Sequence, residues 1–160
     1  VLCAKYREGH FEGVLDVMGR LTNLVNPKKI FMGKKDYQQY FLIKNYLKNK
    51  YKTSIIPCKT IRNKSKIALS SRNNHLDLNG IKKASFLSKN LIKLKRNLAN
   101  SKKIKQNLKI QMKYFEKFLK IKIEYLELRS IKNLKISNTV KGSRLFVAYY
   151  IDNIRLIDNF

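Results

Sequence analysis

Ile30-Phe31-Met32-Gly33-Lys34-Lys35-Asp36-Tyr37-Gln38-Gln39 is the stretch on which the fold of this chain turns. A short apolar run stops at a glycine, and a basic turn then leads into a helical pattern. A parallel sheet presents groups to a nucleotide in this way at the carboxyl ends of its strands. Gly33 lets backbone approach a ligand with no side chain between them. Lys35 offers a mobile ammonium, a point charge for polyphosphate. Asp36 is placed both to cap the following helix and to accept from ribose hydroxyls. Gln39 lies three residues further along that helix face, within reach of a second substrate. Taken alone, the segment reads equally as a capped surface helix with solvated lysines.

Working outward, Phe11, Val14, Leu15, Met18, Leu21, Leu24 and Val25 recur at helical spacing, with Pro27 just past the pattern. Ile30 to Met32 reads as a short buried strand, residues 36–51 as a second helix, and Ser54 to Cys58 as a second strand. Helix, strand, helix, strand is the second half of a doubly wound, Rossmann-like parallel sheet. Residues 59–73 are polar and basic, a loop and the expected domain boundary. Helical pattern resumes from Asp77 to Ala99 and again from Lys102 to Leu119. Residues 121–128 and 144–151 then alternate like half-buried strands. The expected organisation is α/β: residues 1–60 completing a nucleotide-binding domain, and residues 61–160 forming a small α+β domain.

A second cluster, Ile67-Ala68-Leu69-Ser70-Ser71-Arg72-Asn73, lies in the boundary loop. Adjacent hydroxyls and a guanidinium suit phosphate oxygens and the charge that builds on a leaving pyrophosphate. In isolation it is also a polar loop in which Ser71 or Asn73 caps a helix. His10 opens the first helix, where it either touches a ligand or caps, and His75 reads as a solvated turn residue. No metal-ligand spacing, serine triad or Cys–His pair is visible, so a hydrolase has no support.

The net charge of +26, from 36 basic and 10 acidic residues, raises nucleic-acid binding. Most of that charge is lysine scattered along the chain with abundant Asn and Ile, and no zinc-finger, basic-zipper or RNA-recognition signature accompanies it. Arginine, the better reader of phosphates and bases, is scarce by comparison. The apolar runs are too short to span a bilayer. Cys3 and Cys58 lack metal or redox spacing and read as buried, reduced thiols. A start at Val1 rather than Met suggests a fragment.

The two clusters, with His10-Phe11-Glu12-Gly13-Val14 and the tail Arg155-Leu156-Ile157-Asp158-Asn159, resemble the pantothenate synthetase (pantoate–β-alanine ligase) family over nearly the whole chain. The resemblance implies a Rossmann-like, cytoplasmic, homodimeric enzyme. It would join pantoate to β-alanine with ATP and Mg²⁺, through pantoyl adenylate, releasing pyrophosphate and AMP. By the same resemblance, Gly33, Lys34, Lys35, Asp36, Ile61, Leu69, Ser70, Ser71 and Arg72 bind ATP, and Lys35 and Arg72 act in catalysis. Gln39, Val14 and Val17 bind pantoate, residues 61–160 act as a lid, and there is neither a resident metal site nor a tightly bound cofactor. Lys34 departs from the family's Glu, Glu8 from a Pro, Ser65-Lys66 from an Asp-Gly turn, and Met32 from a Phe. The family's paired-histidine segment and another substrate glutamine have no counterpart here, so the expectation is a C-terminal portion that is inactive by itself. The competing expectations are a basic nucleic-acid-binding module and a decayed, non-catalytic remnant.

Overall fold

The helical spacing from Phe11 to Val25 forms α1 (His10–Val25). The computed structural model describes Val1 to Phe160. Gly9 precedes α1 at φ +70°, a left-handed conformation suited to glycine. Asn26 closes the helix at φ 46°, its N–H donating to the Thr22 carbonyl, and Pro27 bars continuation. β1 (Lys29–Gly33) follows, then α2 (Tyr37–Lys48) and β2 (Ser54–Cys58). β1 and β2 pair in parallel, Lys29 opposite Ser54 through to Gly33 opposite Cys58, as a βα-crossover requires.

These elements make up one of the chain's two compact units, Val1–Thr60. Its core includes Phe11, Tyr40, Ile43 and Leu47. Gly19 allows α1 and α2 to approach, since a Cβ there would stand 3.0 Å from the Tyr46 hydroxyl. Tyr51 donates to the Gly19 carbonyl at 3.1 Å. Gln38 turns inward, accepting from the Cys3 N–H at 3.0 Å and donating to the Val1 carbonyl at 2.8 Å. It ties down the segment before α1.

Several expectations are corrected here. β1 is not buried: Ile30 and Met32 are half-covered, and Phe31 is 68% exposed. α2 ends at Lys48 rather than Tyr51. Asp36 occupies the N-cap position but its side chain makes no capping bond; one of its oxygens accepts from Lys35. Cys3 is buried as expected, whereas Cys58 is exposed at the end of β2.

The second unit is Ile61–Phe160. α3 (Leu78–Asn97) and α4 (Ile104–Leu119) share one core with an antiparallel sheet of order β3-β4-β5. Its strands are β3 (Lys122–Ser130), β4 (Ser143–Ile151) and β5 (Ile154–Asn159). Asp77 caps α3, its carboxylate accepting from the Gly80 N–H at 2.6 Å. Leu87, Leu91, Phe115, Leu128, Leu145, Val147 and Ile151 fill the layer between helices and sheet. The tail Arg155–Asn159, singled out as a motif, proves to be most of a third strand. Glu124 accepts from Arg155 at 2.6 Å and from the Tyr150 hydroxyl at 3.0 Å. Burial pushes this carboxyl upward, and Arg155 and Tyr150 outweigh it, leaving it below its ordinary value.

Residues 59–73 are more ordered than a loop. Arg62 bridges Ala68 in a small hairpin, and Ser71–His75 forms a 3₁₀ turn. Lys66 sits at φ +69°, so lysine adopts the left-handed conformation that a glycine fills without strain. Lys66→Gly is expected to raise stability by about 1 kcal/mol, part of the relief being offset by glycine's greater entropy loss. Thermal unfolding measures this, and an unchanged or lower Tm would contradict it. No helix is long and apolar enough to cross a membrane.

Candidate active site

In the first unit, α1 and α2 frame an open cavity of about 540 Å³, lined by Gly9, His10, Gly13, Val14, Val17, Met18 and Gln39. The period of α1 explains the set, since positions 10, 13, 14 and 17 lie along one helix face. Gln39 contributes an amide from the first turn of α2, and His10 the imidazole that opens α1. Gln39, more than twenty positions from Val14 and Val17 in sequence, lines the same cavity with them. Its lining is small and apolar with few polar groups, the composition of a small-molecule pocket.

Gly13 lines the cavity. A Cβ built there meets nothing within 4 Å, so packing does not demand a glycine, which costs roughly 1 kcal/mol against alanine inside a helix. Gly13→Ala is therefore expected to raise Tm slightly while weakening whatever occupies the cavity. Unfolding and substrate-saturation measurements on the same sample would show the opposed changes. Improved stability with unaltered saturation would dissociate Gly13 from binding.

Gly33, Lys34, Lys35 and Asp36 form the turn between β1 and α2, the last three as a 3₁₀ turn. Gly33 has an ordinary extended backbone (φ −67°, ψ 131°), and a Cβ there would also meet open space. Neither strain nor packing calls for glycine there. Lys35 is less mobile than expected: its side chain is 19% exposed and its ammonium lies 3.4 Å from an Asp36 oxygen. Such a long, part-exposed pair is worth at most about 1 kcal/mol and readily exchanges partner.

In the second unit, the Leu69 N–H donates to the Ile61 carbonyl at 3.0 Å, bringing two sequence-selected positions together through backbone. Ser70 Oγ accepts from the Arg72 N–H at 3.4 Å, so Ser70 rather than Ser71 caps the 3₁₀ turn. Asn73 donates to the Ala68 carbonyl at 2.9 Å. Leu69, Ser71 and Arg72 are exposed, and so is His75. Sequence reading passed over Thr60, whose Oγ1 is buried without a hydrogen-bond partner. A lone threonine carries no pattern that could have revealed it. Leaving such a hydroxyl unsatisfied costs about 1–3 kcal/mol.

The first unit thus carries a basic turn at a parallel strand end and a small cavity. The sequence model of the Pantoate-beta-alanine ligase family covers residues 1–160. The chain belongs to this family. It is 35% identical to a pantothenate synthetase of Flavobacterium psychrophilum, over 97% of this chain and 56% of that protein. The crystal structure of pantothenate synthetase from Thermus thermophilus superposes with a TM-score of 0.84 at 28% identity, over 100% of this chain and 59% of that one. The ligase from Francisella tularensis, complexed with beta-gamma ATP and beta-alanine, superposes with a TM-score of 0.75 at 33% identity, over 100% and 53%. The chain thus spans a little over half the length of the curated ligases it matches.

Proposed function

We propose that the chain contributes part of the ATP and pantoate sites of a ligase that condenses pantoate with β-alanine, forming AMP and pyrophosphate. In the first step a pantoate carboxylate oxygen attacks the α-phosphorus of ATP, and pyrophosphate leaves. In the second, the amine of β-alanine attacks the acyl carbon of pantoyl adenylate, and AMP leaves. The observation that carries this reading is the convergence of Val14, Val17 and Gln39 on one cavity, in a chain matched throughout by the family.

Pantoate would lie in that cavity, its methyl groups against Val14 and Val17 and a polar group on the Gln39 amide. Gly33 and Asp36 would flank the ribose, Lys34 and Lys35 the phosphates, and the Ile61 backbone the adenine. Ser70, Ser71 and Arg72 would take up the charge passing to pyrophosphate, with Leu69 beside them. Lys35 and Arg72 would supply most of the electrostatic help. No cluster of three or more His, Cys, Asp or Glu side chains offers a metal cage. These residues do not fit a resident ion, and Mg²⁺ would enter with the ATP phosphates. On this reading residues 1–60 belong to the nucleotide- and pantoate-binding domain, residues 61–160 act as a lid, and the enzyme is a cytoplasmic homodimer.

The test is AMP release from ATP by the native-length protein, with pantoate present, with and without β-alanine. Turnover that needs all three substrates is expected. A cooperatively folded protein that releases no AMP would support a non-catalytic remnant.

A further inference from the structure

The tail that sequence reading singled out, and that the substrate sites leave unused, meets the Arg62 guanidinium. Arg62 Nη1 and Nη2 donate to Asp158 Oδ2 and Oδ1 at 2.6 and 2.8 Å. Nη1 also donates to the Lys66 carbonyl at 3.0 Å and Nη2 to the Asn159 carbonyl at 3.1 Å. The guanidinium carbon lies 4.5 Å from the Phe160 ring centroid. The two charged side chains are only 18% and 8% exposed. Desolvating such a pair is costly unless its geometry is good and its remaining donors are satisfied. Both conditions hold here, through the paired bonds and the carbonyl acceptors. Burial, with the Asp158 charge added to it, holds the nearby Tyr149 phenol well above its ordinary range.

What Arg62 fixes is the hairpin it opens. Near the tip the Asn63 N–H donates to the Ile67 carbonyl, and Asn63 Oδ1 accepts from the Ile67 N–H. α3 holds the tip itself, with Ser88 Oγ donating to the Lys66 carbonyl at 2.8 Å and Ser85 Oγ to the Ser65 carbonyl at 3.0 Å. The returning arm runs straight into Leu69-Ser70-Ser71-Arg72. Ser71 and Arg72 are exposed, and the segment is supported by the arm from which it springs and by β5, against which the 3₁₀ turn packs.

We propose that Arg62 is a positioning residue for the Leu69–Arg72 segment: clamped to Asp158 on β5, it fixes the hairpin base and thereby sets affinity for ATP. The inference rests on the ligase reading above. Arg62→Lys keeps the charge but loses the planar fork. Arg129→Lys serves as the control, because Arg129 is 10% exposed and paired with Glu127 in the same unit but holds no part of this hairpin.

In the native-length protein, Arg62→Lys is expected to raise KM for ATP about tenfold, as a modest misplacement of a substrate-holding segment does. KM for pantoate should not change, and amide exchange at Ile67 and Leu69 should quicken. Arg129→Lys should lower Tm with neither effect. If Arg62→Lys does not fold, Asp158→Asn decides by the same KM comparison. An active parent enzyme whose Arg62 and Asp158 variants keep the parent KM for ATP would overturn the inference and leave the ligase reading standing. Equal KM shifts in Arg129→Lys would overturn it too, by reducing the effect to general stability. A parent enzyme with no ATP-dependent turnover would overturn the ligase reading and this inference with it.

Discussion

Lys35→Ala in the native-length protein is expected to cut pantoate-dependent AMP release by about 10²–10³-fold, the usual cost of removing one preorganised group from developing charge. The resting geometry explains why so much should depend on one ammonium. Lys35 stands in the turn that ends β1 and opens α2, the end of a helix that favours an anion. Its side chain is mostly covered, so the ammonium is confined to a small region, and its partner Asp36 is a half-exposed carboxylate 3.4 Å away. That ion pair itself is worth at most about 1 kcal/mol. Asp36→Asn should accordingly leave much of the rate, while Lys35→Ala should remove it with no comparable change in Tm. Parallel losses in both variants would place the weight on the ion pair rather than on phosphate. Lys34→Glu, which reverses the charge beside Lys35, separates tolerated drift from damage: unchanged turnover would mark Lys34 as a bystander.

The sequence made the helices legible because their evidence is redundant. In α1 the apolar spacing and Pro27 just beyond it both point to one element. β5 was harder. Arg155 and Asp158 interrupt its apolar alternation, and the physical reason for tolerating them lies far away in sequence, in Glu124 for one and Arg62 for the other. Phe31 misled in the opposite direction: an apolar run reads as buried, yet this strand leaves Phe31 largely exposed. Asp36 holds the cap position without making the cap bond, and residue type at a helix start does not reveal which way the side chain turns. The neighbouring glutamines show the same limit. Helical periodicity alone gives Gln38 and Gln39 equal standing, but one pins the Val1–Cys3 backbone and the other lines the cavity.

That separation of Gln38 from Gln39 makes the second large prediction sharp. Gln39→Ala should raise KM for pantoate about tenfold, the worth of one hydrogen bond of about 1–1.5 kcal/mol. Gln39→Glu should do much worse, because pantoate is itself a carboxylate. Two like charges about 4 Å apart at an effective dielectric of about 20 repel by about 4 kcal/mol, which points to a KM roughly 10²–10³-fold above the parent. Val14, Val17 and Met18 give the new charge no polar partner within the cavity lining. The sign of the pH dependence follows. The introduced carboxyl is neutral below its pKa, so the repulsion is fully present above it and fades as pH falls through it. Saturation with pantoate at falling pH should therefore narrow the gap between the glutamate and alanine variants, while KM for ATP moves little in either. If the two variants bind pantoate equally at every pH, no anion lies against Gln39, and the cavity between α1 and α2 must hold the uncharged end of its substrate.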